Sequence, residues 1–166
     1  MAELRGHNVS ATLPAGWDGR ITVRRDGAPE AFLASGHELF TAQPQPVMHL
    51  ANFALPEERG DFGSGAVELM GDRDVLVVLF EYEPAAVQTA LFKAKGLPRS
   101  IASNAYDTST LRRGIAGHCG YQHFFQESGR AFCLYIVLGD ARNRARLVTL
   151  VNSVLATVQI APRTDG

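Results

Sequence analysis

Two adjacent runs late in the chain, 121–127 and 130–138, the second rich in aromatic and branched residues, have only Ser128-Gly129 between them. Such composition predicts strands, and a two-residue loop ending in glycine predicts a hairpin. That loop sets the register: Glu127 opposite Arg130, Phe125 opposite Phe132, Phe124 opposite Cys133 and His123 opposite Leu134. Directly opposed residues share a face. Tyr121, His123, Phe125, Phe132, Leu134, Ile136 and Leu138 then form one nearly apolar side. Gln122, Phe124, Gln126, Ala131, Cys133, Tyr135 and Val137 form the other, polar only near the turn, which predicts a sheet covered on both faces. Gly139-Asp140 ends the second strand, with Asp140 placed as a helix N-cap. Beyond it the period becomes helical. Leu147, Leu150, Val151, Val154, Leu155 and Val158 fall on one side, and Arg142, Arg146, Thr149 and Ser153 on the other. Val158-Gln159-Ile160 predicts a short closing strand.

Earlier in the chain, Val9, Ala11 and Leu13 alternate with polar residues. After a turn at 14–19, residues 20–25 alternate again with Ile21 and Val23 inward, so an opening hairpin is expected. Residues 26–46 carry Gly27, Pro29, Gly36, Pro44 and Pro46 beside Phe32, Leu33, Leu39 and Phe40. A loop of that length is uncommon, so it is expected either to hide an element packed on the core or to contact a partner through those four apolar residues. Residues 47–53 read as a strand with Met48 and Leu50 on one face and Val47, His49, Ala51 and Phe53 on the other. Residues 65–70 suggest a short helical turn. The unbroken apolar run 75–80 predicts a central strand buried on both faces. Residues 84–95 have helix punctuation, with Pro84 at the start and Gly96 just past the end, and an inner stripe of Val87, Ala90, Leu91 and Ala94. Residues 97–119 are weakly patterned, with 111–115 as a candidate strand.

Composition changes little. The 166 residues suit one α+β domain, 1–166, with a short tail at 161–166. A chain of this size hides about 70% of its unfolded surface, enough for a core. A net charge of −1 gives no support to nucleic acid or an anionic membrane as partner. The charge is uneven: 1–83 hold thirteen acids and six bases (−7), and 84–166 hold four acids and ten bases (+6). Two cysteines, no apolar leader and no apolar run of membrane length suit a cytoplasmic bacterial protein with free thiols, Cys119 the more accessible and Cys133 buried mid-strand.

Three segments together resemble the PsbP/Mog1-like group: SATLPAGW at 10–17, GRAFCLYIVLG at 129–139 and LVNSVLATVQI at 150–160. The resemblance implies an α/β/α sandwich around a mostly antiparallel sheet, with a C-terminal amphipathic helix. It also implies an accessory or binding role, and it carries no site residue over to this chain.

No catalytic signature appears, and the chain reads as no enzyme. His118, Cys119, His123 and Cys133 are metal-capable side chains close in sequence, but the hairpin register sends His123 and Cys133 to opposite faces, so no metal and no cofactor is expected. The glycine-rich loop 60–65, from Gly60 to Gly65, matches neither a dinucleotide fingerprint nor a phosphate loop. Glu81 and Glu83 share a strand face and read as acids at a solvent-facing strand end. Arg142, Arg144 and Arg146 crowd the start of the last helix, with Arg112 and Arg113 as neighbours, and form a candidate surface for an acidic partner or an anion. The sequence therefore suggests a non-catalytic protein-binding module that docks a partner or a second copy. The alternative is a small-molecule or anion-binding domain, or a minor hydrolase, using the 60–65 loop or the Arg142–Arg146 helix start.

Overall fold

In the computed structural model, residues 1–24 and 45–164 are described. Their elements run β1 (Ala2–Gly6), β2 (Val9–Leu13), β3 (Asp18–Arg24), β4 (Gln45–Ala51), β5 (Val75–Glu81), β6 (Cys119–Glu127), β7 (Arg130–Leu138), α1 (Arg144–Leu155) and β8 (Gln159–Ile160). β3-β4-β5-β7-β6 form one antiparallel sheet and β1-β2-β8 a second. The chain is thus α+β, with two antiparallel sheets and a C-terminal helix.

The late hairpin has the expected register, from Glu127↔Arg130 to Cys119↔Leu138, two pairs longer than a first strand starting at Tyr121 gives. Ser128 and Gly129 both take positive φ, 56° and 73°, the paired left-handed geometry that matches strand twist. β5 lies in the middle of its sheet, as its apolar run predicts. One face of that sheet, with Met48, Leu50, Val77, Leu79, Leu134 and Ile136, packs against Val9, Ala11 and Leu13 of β2 and Leu147, Val151, Val154 and Leu155 of α1. The opposite face, with Val47, Ala51, Leu76, Val78, Phe80, Cys133, Tyr135 and Val137, is covered by Leu55, Ala66, Val67 and Met70 from the β4–β5 connection. Asp140 accepts from Arg142 N at 2.9 Å and caps a 3-10 turn that leads into α1. Arg99 donates to the carbonyls of Leu155 and Val158, placing a cation at the helix C-terminus.

Several expectations are corrected. The opening hairpin does not exist as read: β2 pairs β1 and β8, while β3 belongs to the other sheet. The turn closed by Trp17 N to Pro14 O carries the chain between the sheets. β1 escapes sequence pattern because most of it is exposed; its loop, His7-Asn8, has φ of 49° and 60°. Val23 is 39% exposed rather than inward. The predicted helix at 84–95 is two 3-10 turns, Pro84–Gln88 and Ala90–Phe92, broken at an extended Thr89. The aromatic Phe92, outside the apolar stripe, takes the buried place against Tyr82 and Phe124, and Leu91 is left 56% exposed. Gln126 Nε2 holds the Phe92 carbonyl at 2.7 Å, in place of an intrahelical donor. No strand forms at 111–115. The strand beginning at Gln45 takes the last two residues of the segment read as irregular, and Phe32, Leu33, Leu39 and Phe40 lie outside the described residues.

Cys119 is also corrected: both cysteines are completely buried, Cys119 facing α1 and Cys133 the opposite side. Burial pushes both thiols up, that of Cys133 to about 11. Since the thiolate is the reactive form, neither is expected to react with a thiol reagent at neutral pH until the protein unfolds. Titration before and after denaturant checks this, and rapid native labelling of either one would contradict the packing.

Candidate functional site

The second face of the five-stranded sheet is not fully filled. A cleft of about 490 Å³ opens over Tyr135 and Val137 of β7. One wall is Asp61, Phe62, Ser64 and Val67 from the β4–β5 connection. The other is Leu111, Arg112, Arg113 and His118 from the segment before β6. A volume in the range of several hundred Å³, apolar walls and a few polar groups are the attributes of small-molecule sites.

Local interactions set these walls. Phe62 stacks on Phe80 at 4.7 Å and meets Tyr135 edge-on at 5.7 Å. The Arg112 guanidinium lies 3.6 Å from the Phe62 ring centre, a cation–π contact across the cleft. Arg112 N donates to the Tyr135 hydroxyl at 2.8 Å, and the Arg113–Glu68 pair at 3.0 Å ties the two walls at the rim. Arg113 is thereby neutralised, whereas Arg112 has no carboxylate partner among the described residues. Its other contacts are with neutral groups, Gln122 at 3.4 Å, the Tyr135 ring at 5.8 Å and the Cys133 thiol. Burial pushes His118 below its ordinary value and Tyr135 above, so both are neutral near pH 7. His118 Nδ1 has no hydrogen-bond partner among the described residues.

The 60–65 loop contributes side chains, not a phosphate cradle. Gly60 N donates to Ser64 O, Gly63 N to Gly60 O, Ala66 N and Val67 N to Gly63 O, and Gly65 N to Glu68 Oε2. Those amides are consumed inside the turn. Gly63 and Gly65 take φ near +90°, and a Cβ on Gly63 would sit 2.4 Å from Leu76. Ser64, His118 and Asp61 share the cleft, but no hydrogen bond joins nucleophile to base or base to acid, so no hydrolytic chain is assembled.

His49, on β4, anchors this wall. Arg59 Nε donates to its Nδ1 at 3.0 Å, so the ring proton sits on Nε2 and is donated to Asp61 O at 2.8 Å. Burial, and then the Arg59 charge, depress its pKa. The neutral form is the one that folds. Its contribution is complete above the ordinary value of 6.5 and is lost as pH falls toward the depressed one. Urea midpoints are therefore expected to fall below pH 6.5. The slope should be shallower in His49→Gln, though not flat, since burial depresses His118 and His123 as well. An unchanged slope in the variant would show that His49 does not titrate with folding.

The remaining candidates are dispersed. Arg112 lies on the face of the sheet opposite α1, so it is not grouped with Arg142, Arg144 and Arg146. Arg142 is exposed beside Asp140 at 3.5 Å, Arg144 is tethered to Tyr106 O at 3.2 Å, and Arg146 is exposed. His118 lines the cleft, Cys119 faces α1, and His123 and Cys133 face opposite ways; no group of three such ligands forms among the described residues. Glu81 is not a solvent-facing acid. It is wholly buried, and Glu83 is exposed.

Sequence reasoning missed what Glu81 does. Arg130 grips it with Nε to Oε2 at 3.0 Å and Nη2 to Oε1 at 2.7 Å, and Arg163 from the tail reaches the same Oε2. Arg130 also donates to the carbonyls of His7, Asn8 and Ala161. The only advance signal is an acid ending one apolar strand and an arginine opening another, and it becomes readable only once those strands are known to pair. No protein-family model matches the chain, and neither a curated protein nor a solved structure is similar to it. No helix among the described residues is long and apolar enough to cross a membrane.

Proposed function

We propose that the chain is a small-molecule-binding domain whose ligand occupies the cleft over Tyr135 and Val137. The observation that carries this is the cleft's composition: Phe62, Val67, Leu111 and Val137 supply apolar wall, while Arg112, His118 and Tyr135 supply polar groups. Among the described residues the exposed large apolar ones, Met1, Val23, Leu69 and Leu91, come from four separate segments. They offer less support to a flat docking patch. The test is a fragment screen read by amide chemical shifts, comparing the wild type with Ser64→Trp, which fills the cleft from its exposed rim. Shifts should cluster at 61–67, 111–118, Tyr135 and Val137 and vanish in the variant. Binding that maps elsewhere, or survives Ser64→Trp, would overturn the reading.

A second reading, docking of an acidic partner or second copy, is supported by the exposed Arg142 and Arg146 at the start of α1. Exposed charge of this kind raises on-rate more than affinity. Reversing both to Glu should weaken association, as should salt, in sedimentation experiments. Association indifferent to both would remove this reading. We also infer a PsbP/Mog1-like α/β/α sandwich. The turn ending at Trp17, the late hairpin and a helix running into β8 support it.

A further inference from the structure

Resting on the cleft reading above, we propose that the ligand is a monocarboxylate with a flat apolar body, its carboxylate held by Arg112. Arg112 is held in orientation without being neutralised. One side of its guanidinium is occupied by the Phe62 ring at 3.6 Å, its backbone is pinned by Tyr135, and its N–H groups meet only neutral partners, Gln122 at 3.4 Å and the Cys133 thiol. A planar fork fixed by stacking is suited to a planar carboxylate, which takes two parallel hydrogen bonds. Arg113 adds no second free charge, because Glu68 holds it at 3.0 Å, and Asp61 stands on the same wall as Phe62. Asp61 repels the two charges of a phosphate monoester more than the one of a carboxylate, so the wall favours a single negative charge on Arg112. Phe62, Val67, Leu111 and Val137 leave an apolar space for the body.

The probes are phenylacetate, phenylacetamide and phenyl phosphate, titrated by calorimetry and by amide shifts. Phenylacetate should bind in the cleft and the other two at least about tenfold more weakly. Arg112→Gln should weaken phenylacetate by about tenfold to a hundredfold, the range of a hydrogen bond to charge, while leaving phenylacetamide nearly unchanged. Arg112→Lys should not restore it, since an ammonium lacks the planar fork. Arg112 is exposed, so these variants are expected to fold; Arg146→Gln, on the other face, should bind as the wild type does. If the amide or the phosphate binds in the cleft as tightly as the acid, the carboxylate assignment falls and the cleft reading stands. If none of the three binds, the carboxylate assignment also falls, and the fragment screen decides the cleft separately. If phenylacetate binds Ser64→Trp as well as wild type, both fall.

Discussion

Arg130→Met is expected to cost about 3–5 kcal/mol of folding stability, the range for removing one partner of a buried ion pair. Both side chains are nearly solvent-free, 2% exposed for Arg130 and 1% for Glu81. The loss reflects stranding, not the net worth of the bridge: among the described residues Glu81 would keep only Arg163, which is partly exposed, and the His7, Asn8 and Ala161 carbonyls would lose the guanidinium. Replacing both partners by apolar residues is often neutral. Arg130→Met with Glu81→Leu should therefore recover part of the loss, but not all, because the His7 and Ala161 carbonyls still lose the guanidinium, while Asn8 O keeps the Ala161 amide at 2.9 Å. Urea denaturation of the two single variants and the double gives the coupling directly. A single-variant cost under about 1 kcal/mol would mean that water enters and replaces the guanidinium.

Gly139→Ala should be damaging for a different reason, at about 3 kcal/mol or more, the upper end for overpacking. Where β7 ends, the chain passes against the turn before β5. A Cβ on Gly139 would lie 1.9 Å from the Gly71 carbonyl oxygen and 3.1 Å from that of Asp74. Both obstacles are backbone, and Gly139 N is bonded to Asp74 O at 2.9 Å, so neither can swing aside as a side chain would. Thermal unfolding should show a markedly lower midpoint. Gly114→Ala, which meets nothing within 4 Å, serves as the control. Equal midpoints would show that the two segments separate at little cost.

These two sites also mark where sequence reading ends. The late hairpin, α1 and the central position of β5 were legible because each is fixed by local periodicity or by a two-residue turn. The 84–95 segment misled because its helical punctuation is real, yet a single aromatic, Phe92, gains more by filling the space beside Tyr82 than the stripe gains from Leu91. The cleft was half legible. The 60–65 loop and Arg112 were singled out for anion chemistry by separate arguments, but nothing local tells that Phe62 and Arg112 meet across 50 positions of chain. Glu81 looked like a surface acid because its partner, Arg130, is reached only through strand pairing.

The groups gathered on the Glu81–Arg130 pair come from both extremes of the described chain: the His7-Asn8 carbonyls on Arg130, and Arg163 beyond β8 on Glu81. During synthesis the sheet around β5 and β7 has its strands once Leu138 has left the ribosome, yet Glu81 then lacks one of its two cations. The last hydrogen bonds of this cluster form only after Arg163 emerges, so a nascent chain that stops short of it holds Glu81 on Arg130 alone. Such an intermediate would be the stage most exposed to chaperones and proteases.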